Sequence, residues 1–119
     1  MTLKIVLLFL MGFFYIYAGT GHFRHPKFFL KITPPWVPYP EKINIFIGIV
    51  EILLGLLILF PLTRIYAAWG IIILLVVVFP ANIYHLTSGG AGTKVPIKFL
   101  WMRLPIQAIL VLWAWWYTF

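Results

Sequence analysis

Four apolar runs divide the chain, at about residues 3–22, 43–60, 65–84 and 99–117. Each is near the ~20 residues that an α-helix needs to cross a bilayer. The first is unbroken from Ile5 to Ala18 and continues through Gly19-Thr20-Gly21. Its bulky Phe13, Phe14, Tyr15 and Tyr17, with no clear small-x-small exit, predict a retained helix rather than a cleaved signal peptide. Pro61 stops the second run, and the short Leu62-Thr63-Arg64 turn predicts an antiparallel hairpin with the third. The centre of the third run, Ile71 to Phe79, is β-branched, yet its length and its place in a membrane argue for helix. A polar stretch from Thr87 to Thr93 follows. The fourth run ends in Trp113, Trp115, Trp116 and Tyr117, which suit an interfacial aromatic belt.

The segment from His22 to Lys42 breaks this pattern. Pro34, Pro35, Pro38 and Pro40 forbid a regular helix there. Phe28, Phe29, Leu30, Ile32 and Trp36 are too apolar for a solvated linker, so the segment is expected to lie on the bundle mouth. The predicted fold is an all-α membrane protein with a single domain, residues 1–119. It is a four-transmembrane-helix antiparallel bundle with a Pro- and aromatic-rich interfacial or re-entrant loop between helices one and two.

Within the spans, helical spacing gathers the few polar residues into stripes. Gly12, Tyr15, Gly19 and His22 share one face of the first span, and Asn44, Gly48, Glu51 and Gly55 share one of the second. Ala68, Ile71, Leu75, Val78 and Asn82 line the third, and Arg103, Gln107, Leu110, Ala114 and Tyr117 the fourth. The glycines permit close helix approach. By the helical rise, Glu51 lies about 13 Å beyond Lys42, Gln107 about 12 Å beyond Phe99, and Tyr15 about 10 Å below His22. The polar groups therefore converge on the half of the bundle that faces the first and third loops. Ionisable groups at such depth are costly and mark candidate sites. Tyr15, His22, Glu51, Asn82, Arg103 and Gln107 are the candidate ligand-binding residues, with Glu51 and Arg103 expected to pair.

Composition sharpens this picture. Of 119 residues, 64% are hydrophobic and 9% charged, which excludes an ordinary water-soluble globule. Mean hydropathy is +1.06. The formal charge is +7, but the basic residues sit in loops beside apolar spans, so membrane lipids rather than nucleic acid are the expected partners. Arg24, Lys27, Lys31, Lys42, Lys94 and Lys98 lie on the side of the first and third loops, against Lys4 and Arg64 on the other. The positive-inside rule then puts those loops in the cytoplasm and both termini outside. Cysteine is absent, which excludes disulfides, thiol relays and thiolate metal sites. His22-x-x-His25 runs straight into Pro26 and lacks an Asp or Cys to complete a metal shell, so no metal is expected. No nucleotide loop or nucleophile elbow is present.

Five short motifs occur in order: Gly19-Thr20-Gly21-His22-Phe23, Pro35-Trp36-Val37-Pro38, Gly48-Ile49-Val50-Glu51 with Gly55, Phe79-Pro80-Ala81-Asn82, and Arg103-Leu104-Pro105-Ile106-Gln107. Together they resemble the DoxX-like family of small four-helix membrane proteins. The resemblance implies an accessory subunit of a membrane redox system, since that family is named for a subunit linked to thiosulfate:quinone oxidoreduction. Its eukaryotic relatives act as assembly factors for membrane receptors. The expectation is a protein of the bacterial inner membrane, not catalytic alone, that holds a small amphipathic ligand, a quinone or a lipid bound non-covalently, in the polar pocket. In a quinone site His22 or Glu51 would be the proton partner and Arg103 or Gln107 the carbonyl donors. The alternative is an assembly factor that uses the same groove for another membrane protein. A transport pathway would require a homo-oligomer.

Overall fold

The computed structural model describes residues 2–119. Its helices are α1 (Leu3–Arg24), α2 (Pro26–Ile32), α3 (Pro40–Leu57), α4 (Arg64–Thr87) and α5 (Ile97–Trp115), and a 3₁₀ turn (Trp116–Thr118) closes the chain. No strand occurs among the described residues, so the β-branched centre of the third run is helical, as its length requires. Three helices, α1, α4 and α5 with its closing turn, are long and apolar enough to cross a membrane. α3 is shorter, with 18 residues, and carries Glu41, Lys42 and Glu51 within them. Length and composition therefore support three spans where four were predicted.

α1 packs chiefly on α3, and α4 on α5, with a thinner contact between α3 and α4. The first pair is antiparallel and nearly touching. A Cβ on Gly12 would stand 2.9 Å from the Gly55 carbonyl oxygen, and one on Gly19 would stand 2.7 Å from that of Gly48. The stripes deduced from spacing are the inward faces: Gly12, Tyr15, Gly19 and His22 are all buried, as are Asn44, Gly48 and Gly55 opposite them. The core continues through Leu8, Met11, Ile58, Ile71 and Leu75 to Ala114 and Tyr117. Outward positions such as Phe46, Val76 and Leu112 are apolar and about two-thirds exposed (66%, 64% and 64%), a surface suited to lipid and not to water.

The proline-rich stretch departs from expectation at both ends. Pro26 and Pro40 stand in the first turns of α2 and α3, where no intrahelical N–H is lost and the fixed φ suits a helix start. Of the segment from His22 to Lys42, only His25 and residues 33–39 remain non-helical. α2 folds back against α1, α3 and α4, whereas Trp36 further along is 71% exposed. The lining of the mouth is thus a short helix, not an irregular loop. At the α3–α4 turn, Arg64 donates from Nε to the Ile58 carbonyl (3.0 Å) and from Nη2 to that of Leu59 (3.1 Å), capping the end of α3.

Candidate functional site

The polar residues form two clusters, one on the α1–α3 seam and one on the α4–α5 seam. On the first, Asn44 Nδ2 donates to the backbone carbonyl of His22 at 3.0 Å. Its Oδ1 is left as acceptor and meets His22 Nδ1 at 2.6 Å. His22 Nδ1 therefore carries a proton. Nε2 faces Glu51 Oε2 at 3.5 Å. When the imidazole is protonated this contact is an ion pair, and no hydrogen bond is formed across it. Phe29 of α2 covers it, its ring stacked on the His22 imidazole with centroids 3.9 Å apart.

Among the described residues, two buried polar atoms on this seam make no hydrogen bond, Tyr15 Oη and Glu51 Oε2, the second having only the longer contact to His22. Each such orphan typically costs about 1–3 kcal/mol. They occupy one level of the seam, Tyr15 midway between Gly12 and Gly19, and Glu51 midway between Gly48 and Gly55, which face each other. Above them lies an open cleft of about 450 Å³, lined by His22, Glu51, Phe28, Phe29, Arg24 and Tyr17 among others.

The second cluster is closed. Arg103 donates from Nη1 to His85 Nδ1 (2.9 Å) and from Nη2 to Asn82 Oδ1 (2.7 Å). Asn82 Nδ2 donates to Gln107 Oε1, and Gln107 Nε2 donates to the Leu75 carbonyl, in the helical turn ahead of Pro80. A guanidinium only donates, so His85 Nδ1 is an acceptor and Nε2 holds the proton. Nε2 then donates to Thr93 Oγ1 at 2.7 Å, and Thr93 donates to the Gly90 carbonyl at 2.6 Å. His85 is fully buried. The network ties α4, α5 and the glycine-rich loop together.

The expected Glu51–Arg103 pair is not formed. Glu51 meets His22 and Arg103 meets His85 and Asn82, because α1 pairs with α3 and α4 with α5, leaving the two charges on different seams. Of the six candidate residues, Tyr15, His22 and Glu51 converge on the open seam, and Asn82, Arg103 and Gln107 on the closed one. α2 joins the clusters, with Phe28 edge-on to His85 (5.8 Å between centroids) and to Phe29 (5.4 Å). Sequence reasoning left out Asn44, His85, Thr93 and Phe29 as site members. Asn44 was visible on the α3 stripe, and His85 lies one turn beyond Asn82, but Thr93 is a loop residue with no periodicity to reveal it.

Comparison with curated proteins and with solved structures gives no match. A family model does match, over residues 11–118, and it is not that of the DoxX-like proteins, so the resemblance drawn from the five motifs is overturned. The geometry explains how those motifs misled. Gly19, Gly48 and Gly55 serve helix contact, and Asn82, Arg103 and Gln107 bond one another, which are demands that any bundle with a polar interior must meet. The chain belongs to the family described as Domain of unknown function (DUF8561).

Proposed function

We propose that this protein is a four-span integral membrane protein that binds a small amphipathic molecule in the cleft between α1, α2 and α3. The observation that carries the reading is Tyr15 Oη, buried with no hydrogen-bond partner among the described residues, on one level with Glu51 Oε2, which has only the 3.5 Å contact to His22, beside a cleft. Polar groups left unpaired in an apolar interior are rare unless a ligand or water meets them. His22 and Glu51 form the polar floor, where the carboxyl oxygens offer a ligand acceptors. Phe28 and Phe29 supply an apolar wall. The α4–α5 network, whose side chains bond one another, holds the scaffold and takes no part in binding.

α3 is the fourth span in this reading. Its 18 residues rise about 27 Å, close to the ~30 Å hydrocarbon thickness, and Glu51 faces inward toward His22. Lys31 Nζ reaches the Gly92 carbonyl at 3.4 Å, so the two basic loops share one end of the bundle, the cytoplasmic one by the positive-inside rule. A bacterial inner membrane fits that polarity.

Release of the protein from its own membrane in mild detergent, followed by native mass spectrometry, tests the reading. The expected result is a bound small molecule that is lost in His22→Ala and in Glu51→Ala and kept in Arg103→Gln. Loss in Arg103→Gln alone would place the ligand elsewhere, and co-purification of a protein with no small molecule would favour an assembly role.

A further inference from the structure

The polar cleft does not end at its own rim. A second hollow of about 450 Å³ runs down the outer seam between α1 and α5, lined by Leu10, Phe13, Phe14, Tyr17, Leu110 and Trp113. Tyr17 lines both hollows, so they adjoin at its side chain, the cleft bearing the polar residues and the second hollow apolar. α1 and α5 are tied at the terminal end, where Tyr117 Oη donates to the Lys4 carbonyl at 2.9 Å and Lys4 Nζ to the Phe119 carbonyl at 3.3 Å. Above that tie the seam is open.

We infer that this composite groove holds one anionic phospholipid, with its headgroup at Arg24 and one acyl chain along α1 and α5. The inference rests on the amphipath reading above and names the class of ligand. Depth is the first argument. Arg24 to Leu10 is 14 residues of helix, about 21 Å, and one leaflet with its headgroup region is about 20–22 Å deep. Charge is the second. Arg24 is held at the junction, its guanidinium 4.7 Å from the Tyr17 ring centroid and its Nε donating to Thr20 Oγ1 at 3.3 Å. Among the described residues its two Nη atoms have no hydrogen-bond acceptor, so they are free for a phosphate. His25 lines the same rim, and Lys27 follows on α2. The one acid lining the cleft, Glu51, faces His22 and not the rim.

The test uses purified, delipidated protein in detergent and two probes with identical acyl chains, phosphatidylglycerol and phosphatidylcholine, with retention read by native mass spectrometry. The native chain is expected to retain phosphatidylglycerol about fivefold better, the factor for one cationic side chain at an anionic surface. Arg24→Gln should remove that preference and Arg24→Lys should keep it. Leu10→Trp, which fills the tail groove, should lose both lipids, while Val76→Trp on the outer face of α4 should lose neither. Equal retention of the two lipids, with both still lost in Leu10→Trp, would overturn the anionic headgroup and leave the amphipath reading standing. Retention that ignores Leu10→Trp would mean annular lipid only and overturn the groove. Retention of neither lipid by the native chain would overturn this inference, while the molecule carried from the native membrane decides the broader reading separately.

Discussion

At the scale of single residues, the two histidines are set by their neighbours in opposite ways. Asn44 forces a proton onto Nδ1 of His22, and Arg103 keeps one off Nδ1 of His85. At neutral pH, ¹⁵N NMR of selectively labelled protein should therefore show a protonated Nδ1 for His22 and a bare Nδ1 with protonated Nε2 for His85. A protonated Nδ1 at His85 would mean that Arg103 is not its partner. The glycines allow an equally local test. A methyl on Gly19 would meet the Gly48 carbonyl at 2.7 Å and the Ile52 side chain at 2.6 Å, whereas one on Gly21 meets nothing closer than 3.8 Å. Since the first obstacle includes backbone, the helices must part. Gly19→Ala should cost about 1–3 kcal/mol, as overpacking does, and Gly21→Ala, within α1 and with room for the methyl, should cost nothing and gain up to about 1 kcal/mol, both by thermal melts in detergent. Similar melts for the two would remove the close α1–α3 approach.

At the scale of elements, the bundle is two helix pairs, each with its own polar cluster, and α2 wedged between them. A seven-residue helix has little stability of its own. It is held by Phe28, Phe29 and the buried Ile32 against its neighbours. The two-pair arrangement predicts which residues couple. Arg103→Met combined with His85→Phe should depart from additivity by about 0.5–3 kcal/mol, because each leaves a polar group of the other unpaired. Arg103→Met combined with Glu51→Gln should be additive within about 0.5 kcal/mol. Coupling of Arg103 to Glu51 instead would return the charges to one shared cluster. Gln107→Leu should cost about 1–3 kcal/mol, since Asn82 Nδ2 loses its acceptor and the Leu75 carbonyl its side-chain donor. An unchanged melting temperature would show that this bridge contributes nothing to the α4–α5 contact.

At the scale of the whole molecule, the four-span proposal requires α3 to cross the bilayer. The chain has no cysteine, so single-Cys variants label against a clean background. Cysteines at Lys42 and Leu62, at the two ends of the α3 segment, should react with an impermeant reagent from opposite sides of the membrane. Ser88 should react from the Lys42 side, the cytoplasm, and Thr118 from the Leu62 side. Labelling of Lys42 and Leu62 from the same side would leave α3 as a re-entrant or surface helix and the protein with three spans.

Much of this was legible along the chain. The runs of apolar residues long enough for membrane helices, the inward stripes through Tyr15, His22, Glu51 and Gln107, and the glycines at helical spacing all follow from local periodicity, which needs no knowledge of which helix meets which. Helix starts at Pro26 and Pro40 were obscured because proline's effect depends on its position in a helix, and that position is known only once the helix is. The family was misread from motifs that many packed bundles require. Charge partners were not legible at all. Glu51 and Arg103 carry matched charge at similar depth, and depth is all that helical rise supplies. Which pair meets depends on rotation about the helix axes and on neighbour order, and these are decided by contacts such as Gly19 on Gly48 and Gln107 on Leu75 that form only when the bundle closes.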